Sequence, residues 1–116
     1  MFEYGAFVTK VIDGDTIEVE ADLGFKVHLA GIRLRLRGIN APELEKGTPA
    51  ERLAGEASKA YLTDLLEGKT VEVETFKTST GRDRKTFERY VADVTIDGMD
   101  VAKLMLNGGH AVPMKG

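Results

Sequence analysis

Residues 32–37 read Ile-Arg-Leu-Arg-Leu-Arg, a strict alternation of aliphatic and cationic side chains. Because successive side chains of a β-strand point to opposite faces, the pattern predicts a half-buried strand with an apolar face and a face of three guanidiniums. A helix would spread these six side chains around its circumference. The chain therefore has to fold around a sheet with one apolar face and one solvated face.

Other segments share this β-branched, partly alternating character. Asp13-Gly14 separates two of them as a tight-turn dipeptide, which predicts a β-hairpin. Asp22-Leu23-Gly24 marks a second turn, and Ala30-Gly31 interrupts the strand that follows, which indicates a bulge or a sharp bend. Asp97-Gly98 predicts a further turn. We expect five strands, at residues 6–12, 16–20, 25–39, 70–76 and 89–96.

Two helices are predicted from their end signals. Thr48-Pro49-Ala50-Glu51 has the spacing of a capping box, with proline at the first helical position, which predicts a helix over 49–67. Asp100 is expected to cap a short helix over 101–107, which Gly108-Gly109 ends. Apolar residues at helical spacing are expected to form the core face of the first helix: Leu53, Ala54, Ala57, Ala60, Tyr61, Leu65 and Leu66.

This order of elements predicts an α+β protein, an antiparallel barrel or sheet with a helix covering one end. The 116 residues suffice for one compact domain, and we expect a single domain over 1–116. The chain has no cysteine, which excludes disulfides and thiolate metal sites. No apolar stretch approaches the ~20 residues that span a bilayer, and no secretory signal opens the sequence. We expect no membrane association, a cytoplasmic location and a monomer.

The overall charge limits how an anionic partner is recognised. Sixteen basic and 19 acidic residues give a net charge of −3, which argues against nucleic-acid binding through bulk charge. An anionic substrate therefore has to meet a local positive site. With no tryptophan, three tyrosines and five phenylalanines, the chain has little material for extended base stacking.

Hard oxygen ligands come from two separate parts of the sequence. Asp13 and Asp15 flank a glycine, and Asn40, Glu43 and Glu45 follow the arginine-rich strand. Carboxylate, amide and carbonyl oxygens suit calcium or magnesium better than zinc. Each feature alone also has an ordinary structural interpretation, as an Asp-Gly turn and as solvated loop acids.

The arginine row has two interpretations as well. Arg33, Arg35 and Arg37 fit the solvated face of a strand, yet three like charges at alternate positions repel one another, which favours an anion bound nearby. A metal site, a carboxylate and paired guanidiniums together are what phosphodiester hydrolysis requires. The cation neutralises the phosphate, a base aligns water, and planar donors bind the phosphate oxygens.

Three motifs in this order resemble the thermonuclease family, the staphylococcal nuclease type: Val-Ile-Asp-Gly-Asp-Thr at 11–16, Arg-Leu-Arg-Gly-Ile-Asn-Ala-Pro-Glu at 35–43, and Arg-Tyr-Val-Ala-Asp-Val at 89–94. The resemblance extends through Gly55-Glu56-Ala57 and from Asp97-Gly98 to Gly109, so it covers essentially the whole chain. Asp22-Leu23-Gly24-Phe25 before a long arginine strand is similar to the variant found in phage and prophage members.

The resemblance implies a five-stranded oligonucleotide-binding-type (OB-fold) barrel with one long helix and one short C-terminal helix. It also implies calcium-dependent hydrolysis of DNA and RNA that leaves 3′-phosphate ends. By motif position, Asp15 and Asn40 would bind calcium through their side chains and Ala41 through its backbone carbonyl.

The remaining site residues follow from the same motifs. Glu43 would align or deprotonate the attacking water, and Arg35 and Arg89 would hold the scissile phosphate from two sides. Phe87 matches one of the aromatic positions that contact the substrate. The resemblance assigns no role to the other two strand arginines, Arg33 and Arg37.

Three departures from the family pattern concern this site. Asn40 stands where the best-known members carry aspartate, so we expect weaker metal binding, because hard-cation affinity follows ligand charge. Glu88 replaces the glycine before Arg89 and can pair with that arginine. Ala111-Val112-Pro113-Met114 lacks the tyrosine that covers a nucleotide base.

Two functions follow from the sequence. The first is a calcium-dependent nuclease that acts on DNA, RNA or both with little sequence preference. The second is a catalytically weakened OB-fold module that binds nucleic acid or protein, with Asn40 and Glu88 as the disabling changes. Both stay open at this point.

Overall fold

A computed structural model describes residues 2–42, 44, 47–76 and 89–114. Within these residues, the elements follow one another along the chain as β1 (Phe2–Asp13), β2 (Thr16–Asp22), β3 (His28–Leu36), β4 (Ile39–Asn40), α1 (Pro49–Leu66), β5 (Thr70–Phe76), β6 (Arg89–Ile96), β7 (Met99–Asp100), α2 (Val101–Asn107) and β8 (Val112–Pro113).

Five of the strands form a closed barrel in the order β3-β2-β1-β5-β6. The barrel closes where β6 pairs with β3, with Leu34 opposite Tyr90. This closing pair is parallel, whereas the other four neighbours in the barrel are antiparallel. The barrel is therefore mixed rather than antiparallel throughout, and the expected α+β fold of OB type is confirmed.

The barrel interior is filled by the inward-facing side chains of all five strands. Leu34 and Leu36 are buried while the arginines between and beside them face outward, which confirms the alternation predicted for this strand. Burial of aliphatic side chains of this size contributes about 1.5–3 kcal/mol each. The strand residues of this core are Ala6, Val8, Val11, Ile17, Val19, Leu34, Leu36, Val71, Val73, Ala92, Val94 and Ile96.

Strand β3 starts later than the sequence predicts. Phe25 lies in the turn at the tip of the β2–β3 hairpin, fully exposed and with a φ of 53°, instead of within the strand. The Val27 amide donates to the Gly24 carbonyl, which closes this turn. Beyond it, Ala30 and Gly31 both face the single residue Glu20 of β2, so the predicted interruption is a β-bulge. The apolar alternation around Phe25 predicted a strand. The spacing of apolar residues does not show which of them pair with a neighbouring strand, and the pairing with β2 begins only at His28.

Helix α1 begins as predicted but buries a different face. Thr48 caps it by accepting a hydrogen bond from the Glu51 amide at 3.2 Å. The residues that pack on the barrel are Gly55, Ser58, Leu62 and Leu66, whereas Leu53 is 67% exposed. The predicted core face was therefore wrong, except at Leu66 and at the half-buried Tyr61 and Leu65. Gly55 and Ser58 are small and allow the helix to approach closely, but they are not large apolar residues, so a prediction from apolar residues misses them.

The turn and the helix cap predicted for the C-terminal part of the chain are confirmed, and this part also pairs with β4, the short strand that follows β3. Asp97 and Gly98 both have positive φ, as a two-residue hairpin turn requires, and Asp100 caps α2 by accepting from the Ala102 amide. Beyond α2, β8 pairs with β4, which places Val112 opposite Asn40. Among the described residues, neither helix combines the length and the apolarity needed to cross a bilayer.

Gly14 sits where α1 approaches the β1–β2 turn most closely. A Cβ atom there would lie 1.9 Å from the Ser58 hydroxyl oxygen and 2.7 Å from the Ala41 Cβ. Its φ is not positive, so close packing rather than backbone conformation requires glycine at this position. The helix is thereby pressed directly onto the turn that carries Asp15.

We predict that Gly14→Ala lowers the free energy of unfolding by about 1–3 kcal/mol, because the added methyl group overpacks this contact. Gly5→Ala is the matched control: no atom lies within 4 Å of its added Cβ, and its φ is not positive. It should leave stability within about 0.5 kcal/mol of the wild type. Urea denaturation followed by circular dichroism checks both. Equal stability of the two variants would contradict the close packing at Gly14.

Candidate active site

The β1–β2 turn holds Asp15 in a defined position. The Asp13 carboxylate accepts a hydrogen bond from the Asp15 amide at 3.0 Å, which is the local bond expected of an aspartate that shapes a turn. Ser58 of α1 packs against Gly14 in this turn, and its hydroxyl donates to the His110 carbonyl oxygen at 2.8 Å. The turn is thus anchored both by its own side chain and by the helix packed against Gly14.

The Asp15 carboxylate joins three parts of the chain. Its Oδ2 accepts from the Ala41 amide at 3.0 Å and lies 3.1 Å from the Arg35 Nη1 atom. Its Oδ1 accepts from the Thr16 hydroxyl at 3.1 Å. The carboxylate is only 13% exposed, so these contacts replace most of its water. Residues from β2, β3 and the segment after β4 therefore meet at one carboxylate.

Arg35 lies between the two side chains predicted to bind metal. Its Nη1 faces Asp15, while its Nη2 donates to the Asn40 Oδ1 and, at 3.2 Å, to the Ile39 carbonyl oxygen. The Leu36 amide also donates to the Asp15 carbonyl oxygen at 2.8 Å, which fixes the strand beside the turn. One guanidinium therefore bridges an anionic oxygen and an amide oxygen through its two Nη atoms.

The two turn aspartates have opposite pKa shifts. Burial raises the pKa of Asp13 to about 6, and its hydrogen bond and charge repulsion with Asp15 add to this effect. Burial also opposes ionisation of Asp15, but hydrogen bonds from Asp13 and Ala41 and the positive charge of Arg35 outweigh it and lower the pKa of Asp15. Asp15 is the carboxylate of this pair that stays ionised, as a metal ligand must be.

The donor set of the cluster fits a hard cation. No group of three His, Cys, Asp or Glu side chains suited to a metal occurs in the described part of the chain, so a site built from these described residues needs amide or backbone oxygens. Asp15 and Asn40 supply one carboxylate and one amide oxygen that contact the same cationic group, and Ala41 adjoins Asp15 through its backbone. Oxygen donors of this kind suit calcium better than softer metals.

Other predicted site residues are described in part or not at all. Glu43 and Phe87 lie outside the described residues, as does Glu88, so their assigned roles stay predictions. Arg89 begins β6, where the backbone register places it opposite Arg33. The structure thus brings Asp15, Arg35, Asn40 and Ala41 together.

Two interactions at and near this cluster were not predicted from the sequence, one made by Thr16 and one by Arg37. Thr16 is buried and donates to Asp15, although its position suggested an ordinary strand residue. Arg37 forms a two-pronged ion pair with Asp93, with both N···O distances at 3.0 Å, and its guanidinium lies 4.1 Å above the Phe76 ring. This hydrogen bonding with Asp93 raises the pKa of Arg37. The pair bridges β3 and β6 where the barrel closes.

Fold and site together define an OB-type barrel that carries a carboxylate, an arginine and an amide side chain in one cluster at the β1–β2 turn. Residues 33–115 match the protein family described as "Staphylococcal nuclease homologue", and the chain belongs to this family. The match includes Arg35, Asn40 and Ala41 but begins after Asp15. The structure, rather than the family match, therefore associates Asp15 with the other three residues.

Individual relatives agree with this assignment. The chain is 34% identical over 79 residues to a probable staphylococcal-like nuclease, CAN2, of Oryza sativa subsp. japonica, which covers 68% of this chain and 18% of the rice protein. It is 35% identical over 105 residues to an uncharacterized endonuclease of Escherichia coli O157:H7, which covers 90% of this chain and 57% of that protein. The chain thus spans less than two thirds of the length of these relatives.

The raised pKa of Asp13 predicts a pH-dependent effect of Asp13→Asn on stability. The stability that a raised folded-state pKa contributes is complete below the unfolded value of 3.8 and is lost as the pH rises through about 6. Asparagine keeps an acceptor for the Asp15 amide but has no charge to bury. The variant should therefore be about 1 kcal/mol more stable than the wild type at pH 7.5, since solvent screens part of the penalty.

Urea denaturation in the presence of a chelator, at pH 4 and pH 7.5, measures this difference. At pH 4 the wild-type Asp13 is protonated, and the two proteins should have nearly equal stability. A stability difference that is the same at both pH values would show that the charge of Asp13 does not cause it.

Proposed function

We propose that this chain is a calcium-dependent nuclease that hydrolyses phosphodiester bonds of DNA, RNA or both with little sequence preference. The observation that carries the proposal is the convergence of Asp15, Arg35 and Asn40 on one cluster in a chain of the staphylococcal nuclease family. These are an anionic ligand, a phosphate-binding fork and a neutral oxygen ligand, which phosphodiester hydrolysis uses together.

Asp15, Asn40 and the backbone carbonyl of Ala41 are the proposed metal ligands. A calcium ion held there would neutralise charge on the phosphate and polarise it toward attack. The site has a single carboxylate among these three ligands, so its affinity for calcium should be modest. The Asn40 side-chain oxygen lies in the cluster, where it accepts a hydrogen bond from Arg35. This position supports a metal site that is retained rather than lost.

Arg35 is the proposed phosphate ligand. Its guanidinium is already held by Asp15, Asn40 and the Ile39 carbonyl, and only 20% of the side chain is exposed. If Asp15 and Asn40 held a cation, the two Nη atoms of Arg35 would no longer have these partners and would be available to phosphate oxygens. The planar fork binds two of these oxygens at once, which lysine cannot reproduce.

Glu43 and Arg89 complete the proposed reaction by their motif positions. Glu43 would align a water molecule and accept its proton while the water oxygen bonds to phosphorus. The bond from phosphorus to the 5′-oxygen would break, and this oxygen would take up a proton from solvent water, which leaves a 3′-phosphate and a 5′-hydroxyl. Arg89 would stabilise the five-coordinate phosphorus together with Arg35. Contacts of this kind address phosphate rather than base edges, so they carry little sequence information.

A labelled single-stranded oligonucleotide tests the activity. With calcium present, we expect cleavage that a chelator abolishes and that Arg35→Lys reduces at least 100-fold, since the two-pronged contact is lost. Glu43→Gln should reduce it similarly. Gly5→Ala serves as the control that should cleave like the wild type. Calcium-independent oligonucleotide binding without cleavage would contradict the proposal and support the weakened binding module instead.

Calcium affinity should change in opposite directions in variants of the cluster. Isothermal titration calorimetry should show binding to Asn40→Asp about tenfold tighter than to the wild type, because a second carboxylate joins the site. Arg35→Met should also bind calcium more tightly, even though it cleaves poorly, because the cation no longer competes with the guanidinium for Asp15. Asp15→Asn should bind least. An unchanged affinity of Asn40→Asp would show that residue 40 is not a ligand.

A further inference from the structure

Arg33 and Arg35 on the outer face of β3 and Arg37, the residue directly after β3, differ in how far their charges are satisfied. Arg35 is bound within the Asp15 and Asn40 cluster, and Arg37 is paired with Asp93. Arg33 has one ion-pair partner among the described residues, Glu18, and the N···O distance of 3.9 Å is too long for a hydrogen bond. Arg33 is therefore the guanidinium of this row that retains its donors for a ligand.

The position of Arg33 relates it directly to the proposed site. It lies two residues before Arg35 on the same face of the strand, a displacement of about 6.6 Å along β3. This spacing is comparable to that of successive phosphates along an extended nucleic-acid strand. The parallel pairing of β3 and β6 also places Arg33 opposite Arg89. Two of the proposed phosphate ligands thus flank Arg33 by register, Arg35 on its own strand and Arg89 on the neighbouring one.

The electrostatics of this position favour a bound anion. Cations opposite each other on neighbouring strands destabilise the pairing unless a counter-charge lies between them. Glu18 provides such a charge only in part, because the contact is long and the Arg33 side chain is 49% exposed. An anion bound by Arg33 would supply the counter-charge that Glu18 supplies only in part.

We infer that Arg33 binds the phosphate adjacent to the one that is cleaved, which makes the site select polynucleotides over isolated phosphodiesters. This inference rests on the proposed nuclease function and extends it to the substrate class. Because a guanidinium on a phosphate reads no bases, Arg33 adds affinity without adding sequence preference. Glu18 competes with the substrate phosphate for the same guanidinium and therefore weakens binding.

The test compares Arg33→Gln with Arg37→Gln, a matched variant that removes the same charge from the same strand face. The substrates are single-stranded oligonucleotides cleaved at one labelled linkage, with a normal phosphate or a neutral methylphosphonate at the neighbouring linkage on either side. Arg33→Gln should lower kcat/KM about tenfold on the all-phosphate strand. It should have little effect on the strand whose neutral linkage replaces the phosphate that Arg33 contacts. Arg37→Gln should stay within twofold of the wild type on every substrate.

Binding gives a second readout that does not need catalysis. Fluorescence anisotropy in a chelator should show that Arg33→Gln weakens oligonucleotide binding and lowers the slope of log affinity against log salt by about 0.7, the value of one phosphate contact on a single strand. Glu18→Gln should strengthen binding several-fold, because it removes the competing carboxylate.

The outcomes separate this inference from the proposed function. Oligonucleotide binding that depends on Arg33, without cleavage by the wild type, would support the phosphate contact and overturn the nuclease. Cleavage that Arg33→Gln and Arg37→Gln affect equally, or a loss that persists with either methylphosphonate, would overturn the role of Arg33 and leave the nuclease intact. The absence of measurable binding by the wild type would overturn the inference as well.

Discussion

The ion pair between Asp15 and Arg35 is the contact on which the site depends. Its two residues belong to a hairpin turn and to a neighbouring strand, and the carboxylate also binds the backbone of Ala41 beyond the next short strand. Because both groups are largely shielded from water, their charges interact more strongly than those of a surface pair. The contact therefore fixes the β1–β2 turn against β3 and, together with the hydrogen bonds from Asp13 and Ala41, keeps Asp15 ionised for the cation it is proposed to bind.

The surface around this pair bears on how an acidic protein would hold the polyanion proposed as its substrate. The chain carries a net charge of −3, so its long-range field does not attract nucleic acid. Arg35 and Arg37 are paired closely with Asp15 and Asp93, whereas Arg33 has only the long contact with Glu18 and is half exposed. Attraction of phosphate must therefore come from local contacts, as in the proposed binding of two successive phosphates of one strand by Arg33 and Arg35.

Much of the fold was predictable because its signals are local. The hairpin turn at Asp97-Gly98, the caps at Thr48 and Asp100 and the bulge at Ala30-Gly31 each depend on residues within a few positions of one another. The predicted core face of α1 was wrong for a different reason. Which face of α1 is buried depends on what the helix packs against, and Ser58 packs against Gly14, a residue more than 40 positions away in the sequence.

The sequence by itself determined which side chains share a face, since the two-residue period of a strand places Arg33, Arg35 and Arg37 outside whatever the fold. Its motifs also predicted Asp15, Asn40 and Ala41 as metal ligands, a role that stays a prediction. Only the tertiary structure decided what each arginine does, because their partners come from the β1–β2 turn, from β2 and from β6. Three chemically identical groups have different surroundings because the pairing of this strand with β2 on one side and β6 on the other brings a different carboxylate to each.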